Sequence, residues 1–193
     1  MVREYLLSVV IIILLCTLVG ATTFLPQSFD ELDKKATHIL IGTVVVQKSI
    51  QESKVISTET TLHVEEWLKG TSSIQTVIVK EPGGSVGDVL MVVPGSAQFV
   101  PGEHVVIFFE ANKKTNNNAA LTAVLYGHTV GMAQGKFSIQ KDKSGTEVLI
   151  NDLGGAHLLK QVNHEQITLT ALRAKYKPSL FRRIIQWMMW VFQ

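Results

Sequence analysis

The sequence predicts a mainly β protein, folded as a closed or partly open antiparallel barrel with a short helix before the strands and helices after them. Many short β-branched segments, separated by Gly, Pro and Asn turns, are typical of an antiparallel barrel or sandwich. Gly42 and Gly131 favour the barrel, because strongly curved sheets need glycines and bulges within or beside their strands. After residue 155 the hydrophobic pattern becomes helical, which predicts the C-terminal helices.

Residues 1–21 have the layout of a signal peptide. Arg3 precedes an apolar run, and Val19, Gly20 and Ala21 supply the small or branched residues of a cleavage site, which predicts cleavage after Ala21. An uncleaved membrane anchor is the alternative, because the run is only slightly shorter than the ~20 residues that cross a bilayer. Either way we expect an exported protein that is periplasmic, extracellular or membrane-associated.

The rest of the chain is predicted to form one β-barrel domain, residues 22–155, and a C-terminal helical segment, residues 156–193. The single cysteine, Cys16, lies within the signal segment, so no disulfide framework is expected in the mature chain. The formal net charge is +2 and the basic residues are not clustered, which argues against a nucleic-acid partner.

The first predicted element is a short helix that ends near Ala36. Ser28 and Glu31 have the spacing of a capping box, in which each side chain bonds the backbone N–H of the other residue. Residues 38–46 are β-branched and nearly continuously apolar, which indicates a strand that is buried on both faces or crosses a barrel. Residues 58–68 alternate, which indicates one apolar and one polar face.

Further strands are predicted by the same pattern at 74–80, 89–93, 104–110, 121–126, 136–141 and 147–150. Between the third and fourth strands, residues 81–88 are predicted to be a loop, because a Pro and three Gly residues interrupt the pattern. We interpret this Gly-rich loop as a wide turn or bulge in which glycine supplies positive φ, rather than as a phosphate-binding loop.

Two helices are predicted at the C-terminal end. Ile167, Leu169, Leu172 and Tyr176 form an apolar stripe that ends before a proline. Residues 180–192 form a last helix, which at ~20 Å is too short to cross a bilayer. Its tryptophans and arginines suit a membrane interface, but packing on the core or on a dimer partner remains the alternative.

No motif in the sequence indicates a reaction or a cofactor. His164-Glu165 begins like the zinc-peptidase motif, but Thr168 occupies the position of the second histidine. Glu65 and Glu66 are neighbours on one strand and therefore point to opposite faces, which excludes a simple acid/base pair.

A barrel can bring histidines from separate strands together, so a secreted hydrolase with a spatially assembled metal site is the alternative hypothesis. Its candidate ligands are His38, His63, His104 and His128.

Several motifs, read in order, resemble a group of exported bacterial proteins of unassigned function, over residues 28–150. They are 36–44 (ATHILIGTV), 65–70 (EEWLKG), 81–84 (EPGG), 99–109 (FVPGEHVVIFF) and 135–137 (GKF). The strand around Gly42, followed by Val-Glu-x-x-Leu-Lys-Gly at 64–70, is also similar to the netrin-like module, the OB-type barrel of tissue inhibitors of metalloproteinases. This likeness implies an OB-like, Greek-key barrel that binds at its loops and open face. It does not imply zinc-directed inhibition, because the mature chain lacks the N-terminal cysteine and the disulfides of those inhibitors.

The sequence therefore predicts an exported, non-enzymatic binding domain that acts on a protein, a peptide or an envelope component. Its C-terminal helix is predicted to add contact with a membrane surface. The candidate contact residues are Pro82, Gly83, Gly84, Phe99, Trp187 and Trp190.

Overall fold

A computed structural model of the 193-residue chain describes residues 23–70, 73–112, 123–153, 157–158 and 167–176. The predicted signal segment and the predicted last helix, with Trp187 and Trp190, lie outside these residues. The mainly β class is confirmed. The elements are β1 (Thr23–Phe24), α1 (Phe29–Lys35), β2 (His38–Glu52), β3 (Val55–Lys69), β4 (Thr76–Pro82), β5 (Gly84–Val86), β6 (Val89–Met91), β7 (His104–Ala111), β8 (Val124–Thr129), a 3-10 helix (Met132–Gly135), β9 (Lys136–Lys141), β10 (Glu147–Ile150), β11 (His157–Leu158) and α2 (Leu169–Tyr176).

The predicted loop at 81–88 is partly wrong. Glu81 and Pro82 complete β4, and β5 and β6 then form a small antiparallel hairpin. Gly87 and Asp88 are its two-residue turn, and Gly87 has φ 57°. Glycine at the first position of a two-residue turn is a strong hairpin signal, which here outweighs the low strand propensity of the residues around it.

Seven strands form one mixed sheet in the order β10-β9-β7-β2-β3-β4-β8. Because β8 also pairs with β7, strand pairing passes around a ring of five strands, with β9 and β10 extending from β7. The expectation of a purely antiparallel sheet is wrong at one pair, since β4 and β8 are parallel. A parallel pair needs a long connection, and here that connection contains the β5–β6 hairpin and β7.

Strand β2 is buried on both faces over Ile39–Gly42 and at Val44, as its apolar pattern predicts, but the prediction is wrong at the end of the run, where Val45 and Val46 are 55% and 53% exposed. Leu40 and Val44 belong to one core cluster together with Leu62 of β3. Ile39 and Ile41 belong to a second cluster, under the two helices. The pairing of β2 with β3 has register shifts, and one of them lies between Ile41 and Gly42. A Cβ added at Gly42 would be 2.4 Å from the His63 carbonyl oxygen. Any larger residue at position 42 would therefore clash with the backbone of β3.

The two helices close the second cluster. The capping box of Ser28 and Glu31 is present at the start of α1, as predicted. Leu169 and Leu172 of α2 are buried in that cluster, and Ile167 and Tyr176 pack against it, which confirms the predicted apolar stripe.

Ion pairs join the helices to the sheet and to each other: Asp33 to Lys69 at 2.9 Å, Arg173 to Glu66 at 2.8 Å and Lys175 to Asp30 at 2.9 Å.

None of the helices within the described ranges is long and apolar enough to cross a membrane.

Candidate functional site

A polar cleft of about 270 Å³ lies where the far half of the β2–β3 hairpin, the end of β4, the β5–β6 hairpin and the segment 96–99 meet. The walls that come from sheet strands and the short hairpin are fixed by backbone pairing, whereas the segment 96–99 lies outside the strands. Its lining residues are Gln47, Ser49, Thr58, Thr60, Glu81, Pro82, Gly84, Ser85, Leu90, Ser96, Ala97, Gln98 and Phe99.

The cleft brings together the contact residues that the sequence placed in the β domain. Pro82, Gly84 and Phe99 line it. Gly83 is buried next to it, and its carbonyl accepts a hydrogen bond from the Thr58 hydroxyl at 2.8 Å. Phe99 is only 6% exposed and also belongs to the core, so it is a fixed wall rather than a free surface residue. The other two candidates, Trp187 and Trp190, are outside the described residues.

Glycine at position 84 allows the β5–β6 hairpin to lie directly on the β2–β3 hairpin. Gly84 has φ 128°, and a Cβ there would be 2.3 Å from Thr58 Oγ1 and 2.5 Å from Ser49 Oγ. With φ 103° at Gly83, this confirms that the Gly-rich segment uses positive φ. Its glycines thus bring a backbone turn close to two hydroxyl groups.

Hydroxyl groups on the cleft wall form a directed chain of hydrogen bonds. Ser85 N–H donates to Ser49 Oγ at 3.3 Å, and Ser49 and Thr58 share a hydrogen bond of 3.0 Å. Since the Thr58 hydroxyl donates to the Gly83 carbonyl, Ser49 is the donor to Thr58. Ser49 and Thr58 each have a second oxygen lone pair, so this part of the wall offers acceptors in fixed positions.

Glu81 is a buried carboxyl group in the cleft. It is 5% exposed and lies on the face of β4 that also buries Val77 and Val79. Its Oε1 accepts a hydrogen bond from Thr129 N–H at 2.8 Å. Burial outweighs this hydrogen bond and raises the pKa of Glu81 from 4.5 to about 7. We did not identify Glu81 from the sequence, although the two-residue period of β4 places it on the apolar face.

The wall beside Phe99 is supported by a buried ionic cluster that was also not predicted. Lys136 is 3% exposed and lies 2.5 Å from Glu103 Oε1 and 5.7 Å from the centre of the Phe99 ring. Ser138 also hydrogen-bonds Glu103, and Glu103 Oε2 accepts from Val100 N–H at 3.1 Å. The cluster thus fixes the chain that follows Phe99.

Residues 83–87 also have the sequence pattern Gly-x-Ser-x-Gly, which in α/β-hydrolases contains the nucleophilic serine. The interpretation of residues 81–88 as a turn did not take this pattern into account. That serine needs a sharp turn between a strand and a helix, and a histidine base nearby. Here Ser85 lies within β5 of an antiparallel hairpin, and the described lining of the cleft contains no histidine. The motif therefore does not form a nucleophile elbow.

Three of the four histidines considered as metal ligands have other partners, and the fourth, His63, is exposed on β3. His38 lies 2.9 Å from the Thr37 hydroxyl and edge-on to Trp67, and burial lowers its pKa. His104 Nε2 lies 2.9 Å from Glu65, and His128 lies 3.5 Å from Glu110. In the part of the chain that the structure describes, no three His, Cys, Asp or Glu side chains form a potential metal site. His164 is outside that part.

A second depression, of about 470 Å³, lies on the other side of β3 and β4. Its lining contains none of the predicted contact residues, so we place the candidate site in the polar cleft. The described lining of this depression is Glu59, Lys80, Asn112, Tyr126, Gly127 and His128.

Comparisons with protein-family models, with curated proteins and with solved structures gave no match to this chain.

Proposed function

We propose that this chain is an exported, non-enzymatic binding domain that takes a protein, a peptide or an envelope component in the polar cleft. The observation that carries this proposal is the meeting of Pro82, Gly84 and Phe99 at one preformed cleft. Phe99 comes from a segment separate in sequence from Pro82 and Gly84, and backbone pairing or buried polar contacts support the walls. A concave, preformed site with a few convergent polar groups is a common form of binding site.

We also propose that the five-strand ring is an OB-like, Greek-key barrel. Two features support this: the ring order β7-β2-β3-β4-β8, with β8 returning to β7, and the parallel pairing of β4 with β8. In such a barrel the loops and the ends of the strands form the usual binding surface, which is consistent with a cleft between a hairpin end and a connecting segment.

To test the binding proposal, binding of the full-length protein to isolated bacterial envelope fractions would be measured for wild type and for two variants. In Gln47→Ala/Gln98→Ala, two amides that line the cleft are removed. In Gln140→Ala, an exposed amide on β9 is removed as the matched control. We expect at least a ~10-fold loss of affinity in the double variant, corresponding to ~1.4 kcal/mol, and wild-type affinity in the control. Equal binding by all three proteins would contradict a role for the cleft.

A second experiment tests the proposed membrane contact of the C-terminal helix. We expect Trp187→Ala/Trp190→Ala to move the protein from the membrane fraction to the soluble fraction, because indole rings favour the headgroup region. Trp67→Phe is the control for loss of a tryptophan elsewhere, since the Trp67 ring packs against the core. Unchanged partition of the double variant would remove membrane contact from the proposal.

A further inference from the structure

We propose that the group bound in the cleft is an uncharged sugar residue, an inference that rests on the binding function proposed above. The shared chemistry is a ring that carries several hydroxyl groups. A free oligosaccharide and a glycan strand of the cell wall are its two sources.

The first argument is charge. Among the described residues that line the cleft, Glu81 is the one ionisable side chain, and no Lys, Arg or His accompanies it. An anionic ligand would lose its hydration without gaining a cation, and it would face a carboxyl group. Because burial raises the pKa of Glu81 to about 7, the lining is uncharged at weakly acidic pH. An uncharged ligand therefore fits this lining best.

The second argument is the direction of the hydrogen bonds. The Thr58 hydroxyl already donates to the Gly83 carbonyl, and Ser49 donates to Thr58, so their remaining capacity is for accepting. Thr60 Oγ1 accepts from the Gln47 amide at 3.1 Å. The amide oxygens of Gln47 and Gln98 are further acceptors in the lining. A wall rich in acceptors is matched by a ligand with several O–H donors, as a sugar has.

The third argument concerns the β3 part of the wall. Peptides that add a strand to a sheet need free backbone N–H and C=O groups at a sheet edge. Lining residues of β3 are already flanked on both sides: Thr58 pairs with Ser49 and Glu81, and Thr60 pairs with Gln47 and Val79. Recognition at the β3 part of the wall must therefore use side-chain groups, which a hydroxyl-bearing ligand can engage.

Size and apolar contact agree with a ring-sized group. The cleft volume of about 270 Å³ lies just below the ~300 to 1,000 Å³ of sites for drug-sized ligands. Leu90, 71% exposed, and Pro82, also exposed, offer apolar surface at the lining, suited to the C–H face of a sugar ring.

The test uses four disaccharide probes of similar size and isothermal titration calorimetry on the full-length protein at pH 6. Two probes are neutral, the glucose dimer and the N-acetylglucosamine dimer; the other two are a glucosamine dimer, which is cationic, and a galacturonic acid dimer, which is anionic. We expect at least one neutral dimer to bind at least ~10-fold more tightly than both charged dimers. Gln47→Ala/Gln98→Ala should weaken that binding at least ~10-fold, and Gln140→Ala should change it less than ~2-fold.

Sedimentation with intact peptidoglycan distinguishes the two sources. Retention that the neutral dimer competes away assigns the cell-wall glycan, and absence of retention assigns a free oligosaccharide. The sugar proposal is overturned if neither neutral dimer binds, if a charged dimer binds as tightly, or if the cleft variant binds like wild type. If the sugars fail while envelope binding still depends on Gln47 and Gln98, the binding function stands and only the ligand class is wrong.

Discussion

Replacing Glu81 with glutamine is expected to abolish most of the decrease in stability that the wild-type protein shows between about pH 4.5 and pH 7. Burial raises the pKa of Glu81 from 4.5 to about 7, so in this range the folded state retains a proton that the unfolded state has lost. The free energy of unfolding therefore falls as the pH rises through this range. A change in pKa from 4.5 to about 7 corresponds to about 3 kcal/mol.

The measurement is chemical denaturation at pH 5 and pH 8. Glu81→Gln keeps the acceptor for Thr129 N–H and cannot ionise, so at pH 8 it should be more stable than wild type. Glu147→Gln, in edge strand β10, is the matched control and should show the wild-type pH dependence. If wild type and Glu81→Gln lose the same stability between the two pH values, Glu81 does not have the raised pKa described above.

Lys136→Met is expected to destabilise the fold by ~3 to 5 kcal/mol, because it leaves the Glu103 carboxylate largely buried without its cation. The side chains of Lys136 and Glu103 are 4% and 17% exposed, so water compensates little for the loss. Denaturant titration of Lys136→Met, Glu103→Leu and the double variant gives the coupling energy of the pair.

The double variant Lys136→Met/Glu103→Leu should recover most of the lost stability, because an apolar pair of similar size replaces an ion pair at little net cost. Additive losses, with no recovery in the double variant, would show that the two side chains do not act as a pair. Lys141→Met, an exposed lysine at the end of β9, should lie within ~0.5 kcal/mol of wild type.

Local patterns predicted most of the elements. The bounds of β9 and β10 agree with the prediction, and the capping box at Ser28 forms as expected. The strand bounds depend on the alternation of neighbouring side chains, and the capping box depends on two hydrogen bonds between residues three apart in sequence. The apolar run of β2 likewise predicted burial on both faces, which the two core clusters confirm as far as Val44 but not for the exposed Val45 and Val46.

Pairings between distant strands could not be predicted in this way. Nothing in the local pattern of β8 shows that it lies parallel to β4 rather than antiparallel to it, because that depends on the route of the long connection. The β5–β6 hairpin was missed because proline and glycine suggested a loop, although Gly87 with Asp88 is a suitable two-residue turn.

The candidate site was predictable in part. Pro82, Gly84 and Phe99 were candidate contact residues from the sequence, and all three line one cleft. Glu81 and Lys136 were missed, because their burial depends on partners far away in sequence, Thr129 and Glu103. For Glu81, alternation along β4 was a usable signal.

Site-specific photo-crosslinking in cells that express the full-length protein is the most direct test that binding occurs in the cleft. The photoreactive p-benzoylphenylalanine would be placed in the cleft in place of Gln98, and on β9 in place of Gln140 as the control. We expect a discrete adduct from position 98 that disappears when Gln47→Ala is added, and no such adduct from position 140. Equal adducts from both positions, or an adduct from position 140 alone, would contradict binding in the cleft.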